Sequence, residues 1–349
     1  MTTPDGGEKL EHRTRRTGGP TITQVAEAAG VSRATVSRVL NGRTTVDPTI
    51  VARVREAAEQ LQYRPNLTAR YLSTGRTMTV SVVIPDLGNP MFQSILRSLT
   101  RAAEADGYGV LVAEARTAER EADVARTARR QCDAVVLIAP RMQAEALDTL
   151  VPEIAPVVVL NRSLADPRIA SVGIDYTSGM AQLVQHLEEL GHRHLAYLAG
   201  PPSSAAHQER QSALDGLARH RPSLRLHTVE GGASLEDGHR AAAQVLETGA
   251  TAVMAFNDLV ALGLLFRLHQ LGVDVPGELS VAGFDGIELA RYSVPTLTTV
   301  DQEELDTGAV AWALLHRQLD PGRSSAPTEH AVLTPKLLIG GSTGPAPRP

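Results

Sequence analysis

Residues 30–42 read GVSRATVSRVLNG, and the side chains there that could do chemistry stand on one side. Taken as a helix over residues 33–40, the stretch turns Val36, Val39 and Leu40 inward. It leaves Arg33, Ala34, Thr35, Ser37, Arg38 and Asn41 outside. Those types suit the base edges of a DNA major groove. Arginine forks onto guanine, hydroxyls tolerate several bases, and an alanine methyl can meet a thymine methyl. The same side chains also fit the solvated face of an ordinary amphipathic helix, so the stretch alone leaves both readings open. Competing chemistry is scarce. The chain has no Walker-type phosphate loop, no H-E-x-x-H and no G-x-G-x-x-G, and no nucleophile-and-base or metal constellation emerges. His186, His192 and His194 cluster in HLEELGHRH, but without a carboxylate at fitting spacing they read as solvated histidines at a helix end. No cofactor is expected.

The elements around the stretch are well marked. Val31 and Val36 lie five apart around Ser32, the pattern of a hydrophobic staple about an N-cap. Gly30 ends a preceding helix over residues 22–29, where a left-handed residue is needed. Two short helices joined by a tight glycine-containing turn form a helix-turn-helix. A third helix follows: Asp47 caps it, Pro48 fills its first position, and Val46 and Val51 make a second staple. Its inner stripe is Ile50, Val54, Ala57, Ala58 and Leu61. Any three-helix bundle shares this pattern, and charge separates the cases. Residues 1–75 hold 11 basic against 7 acidic side chains, whereas the other 274 hold 23 against 32. A basic head on an acidic body suggests a head that meets an anionic partner.

The remaining composition sets limits. With 349 residues, 42% of them hydrophobic, the chain can pack two or more domains. No apolar run is long enough for a membrane span, and residues 1–16 lack the apolar stretch of a secretory signal. A single cysteine, Cys132, excludes an internal disulfide and reads as a small buried hydrophobe beside a strand. The expectation is a cytoplasmic, nucleoid-associated protein with no membrane partner. Residues 1–20, polar and glycine-rich, read as a disordered tail.

Beyond residue 76 the pattern changes. Near-continuous apolar runs at 80–85, 109–113, 134–139, 156–160, 194–200, 251–256 and 279–284 read as buried strands. Amphipathic stretches such as 178–191 and 258–272 lie between them. Alternation of this kind implies parallel sheets covered on both faces. The length is great enough to favour two doubly wound lobes over one sheet. The final residues, 343–349, read as a tail.

At this point several ordered motifs carry a family resemblance. TITQVAEAAGVSRATVSRVLNG, then VDPTIVARVREAAEQLQYRPNLTARYLSTGRT, resembles the DNA-binding headpiece of lactose-repressor (LacI/GalR-type) bacterial transcription regulators. The resemblance continues through VVIPDLGNPMF, SVGIDYTSG, ELGHRHLAYLAGPPSS, FNDLVALG, VPGELSVAGFDGIELARYSVPTLTTV and the closing STG, covering residues 21–343. It implies a homodimer that represses transcription from a pseudo-palindromic double-stranded operator, and whose affinity a small-molecule effector controls. The implied organisation is a helix-turn-helix domain over 21–64, a hinge helix and linker over 65–75, and a periplasmic-binding-protein-like α/β core over 76–342. By position, Arg33 and Ala34 would be the main base readers, supported by Thr35, Ser37 and Arg38. Thr21, Ser32, Asn41 and Tyr63 would lie on or near the DNA backbone. The hinge, residues 66–73, would fold on the operator and begin at Asn66. It would wedge Leu72 into the central step from the minor groove, with Ala69 beside it.

The resemblance also implies a carbohydrate-like effector between two core lobes. Carried over position by position, its ligands would be Asn89 and Phe92, Asn161 and Arg162, Arg210, Asn257, Asp285 and Gln302. Amide, guanidinium and carboxylate groups pair with sugar hydroxyls, and an aromatic covers an apolar sugar face. Two departures weaken any transfer of ligand identity. Ala233 stands where several sugar-responsive members place an aromatic, and Gly286 replaces a second acidic residue often seen after Asp285. Residues 114–132 look shortened, and the end of the chain has no leucine heptads, which favours a dimer. The competing reading is a soluble sugar receptor or an enzyme on the same body.

Overall fold

The computed structural model describes residues 20–40, 46–63, 75–162, 164, 166, 168–320 and 330–347. The chain divides into two compact units, residues 1–76 and 77–349.

The first unit holds three helices: α1 (Ile22–Ala29), α2 (Arg33–Leu40) and α3 (Pro48–Gln60). Each starts where its cap dictates. Thr21 and Gln24 form a reciprocal capping box on α1, Ser32 Oγ accepts from Thr35 N at 3.1 Å, and Asp47 Oδ1 accepts from Thr49 N at 2.8 Å. Gly30 ends α1 in the left-handed region (φ 62°), and a Cβ there would press on the Arg53 guanidinium. That guanidinium donates to Ala29 O, so α3 ties down the last carbonyl of α1. Val25, Ala26, Ala29, Val36, Val39, Val54, Ala57 and Ala58 close the core. Val31, Leu40, Val46, Ile50, Val51 and Leu61, expected on the staples and inner faces, pack partly buried against it.

The second unit is two six-stranded α/β lobes. Lobe 1 contains β1 (Thr79–Ile84), β2 (Gly109–Glu114), β3 (Ala134–Ile138), β4 (Val157–Leu160), β5 (Ser171–Ile174) and β11 (His330–Leu333). All its pairings are parallel, in the order β11-β5-β4-β3-β1-β2. Its helices are α4 (Pro90–Ala105), α5 (Ala118–Gln131), α6 (Ala144–Ile154) and α11 (Thr307–Leu319). The strand faces alternate as a two-residue period requires. Val80, Val82 and Ile84 pack under Ile95, Leu99 and Leu315, whereas Val83 turns to the opposite core with Leu147 and Leu150.

Lobe 2 contains β6 (His194–Ala199), β7 (Arg225–Glu230), β8 (Ala252–Ala255), β9 (Ser280–Asp285), β10 (Thr298–Asp301) and β12 (Lys336–Leu338). Its order is β12-β10-β9-β8-β6-β7, and only β12 runs antiparallel to its neighbour. Helices α7 (Tyr176–Glu189) and α8 (Ala205–Arg219) cover one face, and α9 (Leu235–Glu247) and α10 (Asp258–Leu271) the other. α9 and α10 touch backbone to backbone: a Cβ on Gly238 would strike Val260 O, and one on Gly263 would strike Leu235 O. The chain passes between lobes at residue 175, at 302–306 and at 334–335, so three short connections carry any lobe movement.

Two expectations need correction, and one further motif is structural. Residues 343–346 are not a tail: Gly344 N donates to Ser280 Oγ (3.1 Å) and Ala346 N to Leu190 O (2.8 Å). The histidines at 186–194 are not solvated. His192 is fully buried, with ring nitrogens on Thr251 Oγ1 (2.8 Å) and Gly344 O (3.0 Å), and His186 bonds Thr343 Oγ1 at 2.9 Å. Burial pushes the pKa of both below the usual imidazole value. Finally, 340–344 (GGSTG) fits a G-x-S-x-G spacing, yet Ser342 is a buried structural hydroxyl, donating to Val281 O (2.6 Å) and accepting from Thr298 N (2.8 Å). Cys132 is buried as expected, and burial raises its thiol to about 11.

Candidate functional sites

On the head, α2 presents Arg33, Ala34 and Arg38 exposed, with Thr35 and Ser37 half-buried beside them. Ser32 Oγ and Thr35 Oγ1 bond each other at 2.9 Å, so the cap also orients the first hydroxyls of the exposed face. Thr21 is exposed at the start of α1, its backbone N–H donating to Gln24 Oε1 at 2.7 Å. Tyr63 is half-buried against the head core, and its N–H donates to Ala58 O at 2.8 Å. Asn41, Asn66, Ala69 and Leu72 lie outside the described residues.

In the body, a cavity opens at the carboxyl ends of both sheets. Asn89, Phe92 and Asn161 line it from lobe 1, and Arg210, Asn257 and Asp285 from lobe 2. Asn89 and Asn257 owe their places to capping: each Oδ1 accepts an N–H at 2.9 Å, from Met91 and from Val260. Asn257 Nδ2 also donates to Ala233 O at 2.9 Å. Asn161 follows β4 with positive φ (53°), and its side chain is buried with no partner for Oδ1 among the described residues.

Arg210 and Asp285 form the centre. The Arg210 guanidinium lies 3.6 Å from the Phe284 ring centroid, 4.7 Å from Tyr176 and 4.9 Å from Phe256. Nη1 donates to Phe256 O, Nη2 stands 3.8 Å from Asp285 Oδ1, and Nε has no partner among the described residues. Asp285 Oδ1 accepts from Gln302 Nε2 at 2.7 Å. Burial pushes the Asp285 carboxyl up to about 6, against the pull of Arg210, Gln302 and Asn89. Asp258 lies behind it, fully buried, accepting from Thr299 Oγ1 (2.6 Å) and Ile287 N (2.8 Å). Burial, then the like charge of Asp285, hold Asp258 well above the usual carboxylate range.

Two expected ligands point elsewhere. Arg162 sends Nη1 to Pro140 O (2.9 Å) and Met142 O (2.5 Å) and does not line the cavity. Gln302 backs Asp285 and lines a second space between α4 and residues 287–289. The first cavity is the candidate ligand site, because the buried atoms of Asn161 and Arg210 that lack partners among the described residues gather there. Sequence reasoning missed Tyr176 and Phe256, which supply aromatic faces where Ala233 does not, and Arg141. Tyr176 and Phe256 each follow a strand within two residues, which was a usable signal. Among the described residues, no group of His, Cys, Asp and Glu is arranged to hold a metal ion.

A helix-turn-helix head joined to a two-lobed body with a buried polar cavity is the anatomy of a ligand-responsive DNA-binding regulator. Comparison with known proteins agrees. Residues 21–66 match the bacterial regulatory proteins of the lacI family, and residues 184–343 match a periplasmic binding protein-like domain. Catabolite control protein A of Staphylococcus xylosus is 31% identical over 327 residues, covering 93% of this chain and 99% of its own. The HTH-type transcriptional regulator AscG of Escherichia coli K12 is 35% identical over 289 residues, covering 80% and 86%. Among solved structures, the lac repressor dimer bound to operator and the anti-inducer ONPF superposes with a TM-score of 0.84 at 27% identity, covering 94% and 100%. A complex of the transcriptional regulator CelR with cellobiose gives 0.68 at 27%, covering 93% and 99%. The chain belongs to the lacI family: it is a DNA-binding transcriptional regulator and not an enzyme.

Proposed function

We propose that the protein is a homodimeric repressor that binds a pseudo-palindromic operator and changes its affinity when a carbohydrate-like effector enters the cavity. It acts in the cytoplasm, at the nucleoid. Arg33 and Ala34 read bases, Thr35, Ser37 and Arg38 support them, and Thr21, Ser32, Asn41 and Tyr63 hold the backbone. Residues 65–75 are the hinge, where Asn66, Ala69 and Leu72 meet the minor groove.

One observation carries the effector part. Asn161 Oδ1, a buried acceptor on lobe 1, and Arg210 Nε, a buried donor on lobe 2, are both unpartnered and line the same cavity. A hydroxylated ligand supplies a donor to the first and an acceptor to the second, while Phe92, Tyr176 and Phe256 cover its apolar face. Such a ligand binds both lobes and therefore favours one lobe arrangement over another. That difference, passed to the hinge, amounts to about 1–3 kcal/mol, or roughly 5- to 150-fold in operator affinity.

A thermal-shift screen of sugars and nucleosides against the full chain tests the effector, since a true ligand stabilises the state it binds. Gel-shift titrations over a salt series test the head. Arg33→Ala should change which operator is preferred, and Leu72→Ala should weaken operator binding while sparing random DNA. Equal losses on operator and random DNA for both variants would overturn the assignment.

A further inference from the structure

Four charged side chains line the cavity: Asp86 and Arg141 from lobe 1, Arg210 and Asp285 from lobe 2. Three of them have bonds within the chain. Asp285 accepts from Gln302 and faces Arg210, Arg210 gives Nη1 to Phe256 O, and Asp86 Oδ1 accepts from Gly88 N at 2.7 Å. Arg141 differs. Among the described residues its guanidinium has no hydrogen bond and no ion pair, although its side chain is half-buried at the cavity wall.

The backbone that carries Arg141 is clamped from two sides. Glu121, 3% exposed on α5, takes the N–H of Arg141 at 2.9 and 2.8 Å and that of Met142 at 2.8 Å. Arg162 takes the carbonyls of Pro140 and Met142. A buried acid and a half-buried arginine thus bond to three residues of backbone. Glu121 attracts the Arg141 guanidinium through space, but its oxygens already hold those two N–H groups. The clamp uses only main-chain atoms of residues 140–142, so it gives no structural reason for an arginine at 141. What the clamp achieves is a fixed backbone origin for the Arg141 side chain at the cavity wall.

We propose that Arg141 is a specificity residue of the cavity and receives an anionic substituent, a carboxylate or a phosphate, on the carbohydrate effector. This inference rests on the effector site proposed above. The acids of the cavity already have donors, so a neutral sugar leaves the fork of Arg141 with single hydroxyl acceptors. A carboxylate or phosphate offers two oxygens in the matching geometry and balances the charge. Glu121 and Arg162 act through Arg141 as positioning residues.

Calorimetry on the full chain tests this with three series: glucose, glucuronate and glucose 6-phosphate; galactose, galacturonate and galactose 6-phosphate; ribose and ribose 5-phosphate. In at least one series the acidic member should bind about 10-fold or more tighter than its neutral parent. Arg141→Gln should lower that affinity about 10- to 100-fold and move the neutral parent less than about threefold, while Arg141→Lys keeps part of the preference. An unchanged melting temperature without ligand shows that the variant folds. The preference should shrink between about 50 and 500 mM salt. Comparing the uronate and phosphate arms separates the two sources of charge. Neutral sugars that bind as tightly as every acid, or a preference that survives Arg141→Gln, would overturn the inference and leave the carbohydrate site standing. Binding by no member of any series would remove both.

Discussion

The proposed DNA-reading face and the proposed effector cavity hold their side chains in opposite ways. On α2 the expected readers Arg33, Ala34 and Arg38 are exposed, while Val36 and Val39 of the same helix do the packing. In the cavity, function and fold share atoms. Asn89 and Asn257 are helix caps, Arg210 holds the carbonyl of Phe256, and Asp285 is the acceptor of Gln302. The difference teaches where change is tolerated. A new operator can be read by exchanging exposed side chains on an unchanged helix. A new effector requires replacing residues that hold strand ends, helix starts and a buried ion pair in place.

The strongest way to break this comparison is Arg210→Ala. It strands the buried Asp285 without its cation, so the body should lose about 3–5 kcal/mol of stability together with its effector response. A normal melting curve with a normal sugar response would show that the cavity is as separable from the fold as the head is.

A pH titration sharpens the same point. The Asp285 carboxyl rises from 3.8 to about 6 on folding, so the folded state binds its proton more tightly than the unfolded state does. The stabilising contribution of that proton is full below about pH 4 and is lost as pH rises through about 6. Carboxyls held near 2, such as Asp166 and Asp237, slope the other way, so the measurement is the difference between wild type and Asp285→Asn. Wild type should lose up to about 3 kcal/mol relative to the variant over that window. Asp258 titrates with Asp285 as a buried pair and broadens the transition. A flat difference would remove the buried-acid reading.

Two smaller effects complete the contrast. Arg33→Ala should reduce discrimination between operators by about 1–3 kcal/mol. The same change should leave stability within about 0.5 kcal/mol, checked by chemical denaturation, because nothing packs on an exposed side chain. Asn257→Ala should cost the body about 1 kcal/mol through the lost cap on α10 and should also weaken effector binding.

Legibility followed burial. Most strands read from sequence, such as those at 80–85 and 134–139, are central and apolar on both faces, but the run at 109–113, expected to be buried, is the edge strand β2 and leaves Leu111 and Val112 exposed. Those missed are edge strands or short pieces. β7 (RLHTVE) and β11 (HAVL) mix exposed and half-buried residues, and β12 has three residues. The cavity was half legible. Asn89, Phe92, Asn161, Arg210, Asn257 and Asp285, carried over position by position from the family resemblance, meet in one space, whereas Arg162 and Gln302, carried over in the same way, serve the backbone and Asp285. Arg141 had no motif to mark it.

What the sequence determined by itself is everything set by local geometry and pattern. Caps at Thr21, Ser32 and Asp47 start the head helices, Gly30 turns the chain, and apolar strands alternate with helices to build two lobes. The tertiary structure alone decided which polar side chains are already satisfied. Asn161 and Arg162 are chain neighbours of similar polarity, yet one leaves a buried acceptor open to the cavity and the other bonds to two carbonyls behind it. The reason is physical. A hydrogen-bond partner is set by distance and direction across elements far apart in the chain, and sequence periodicity carries neither.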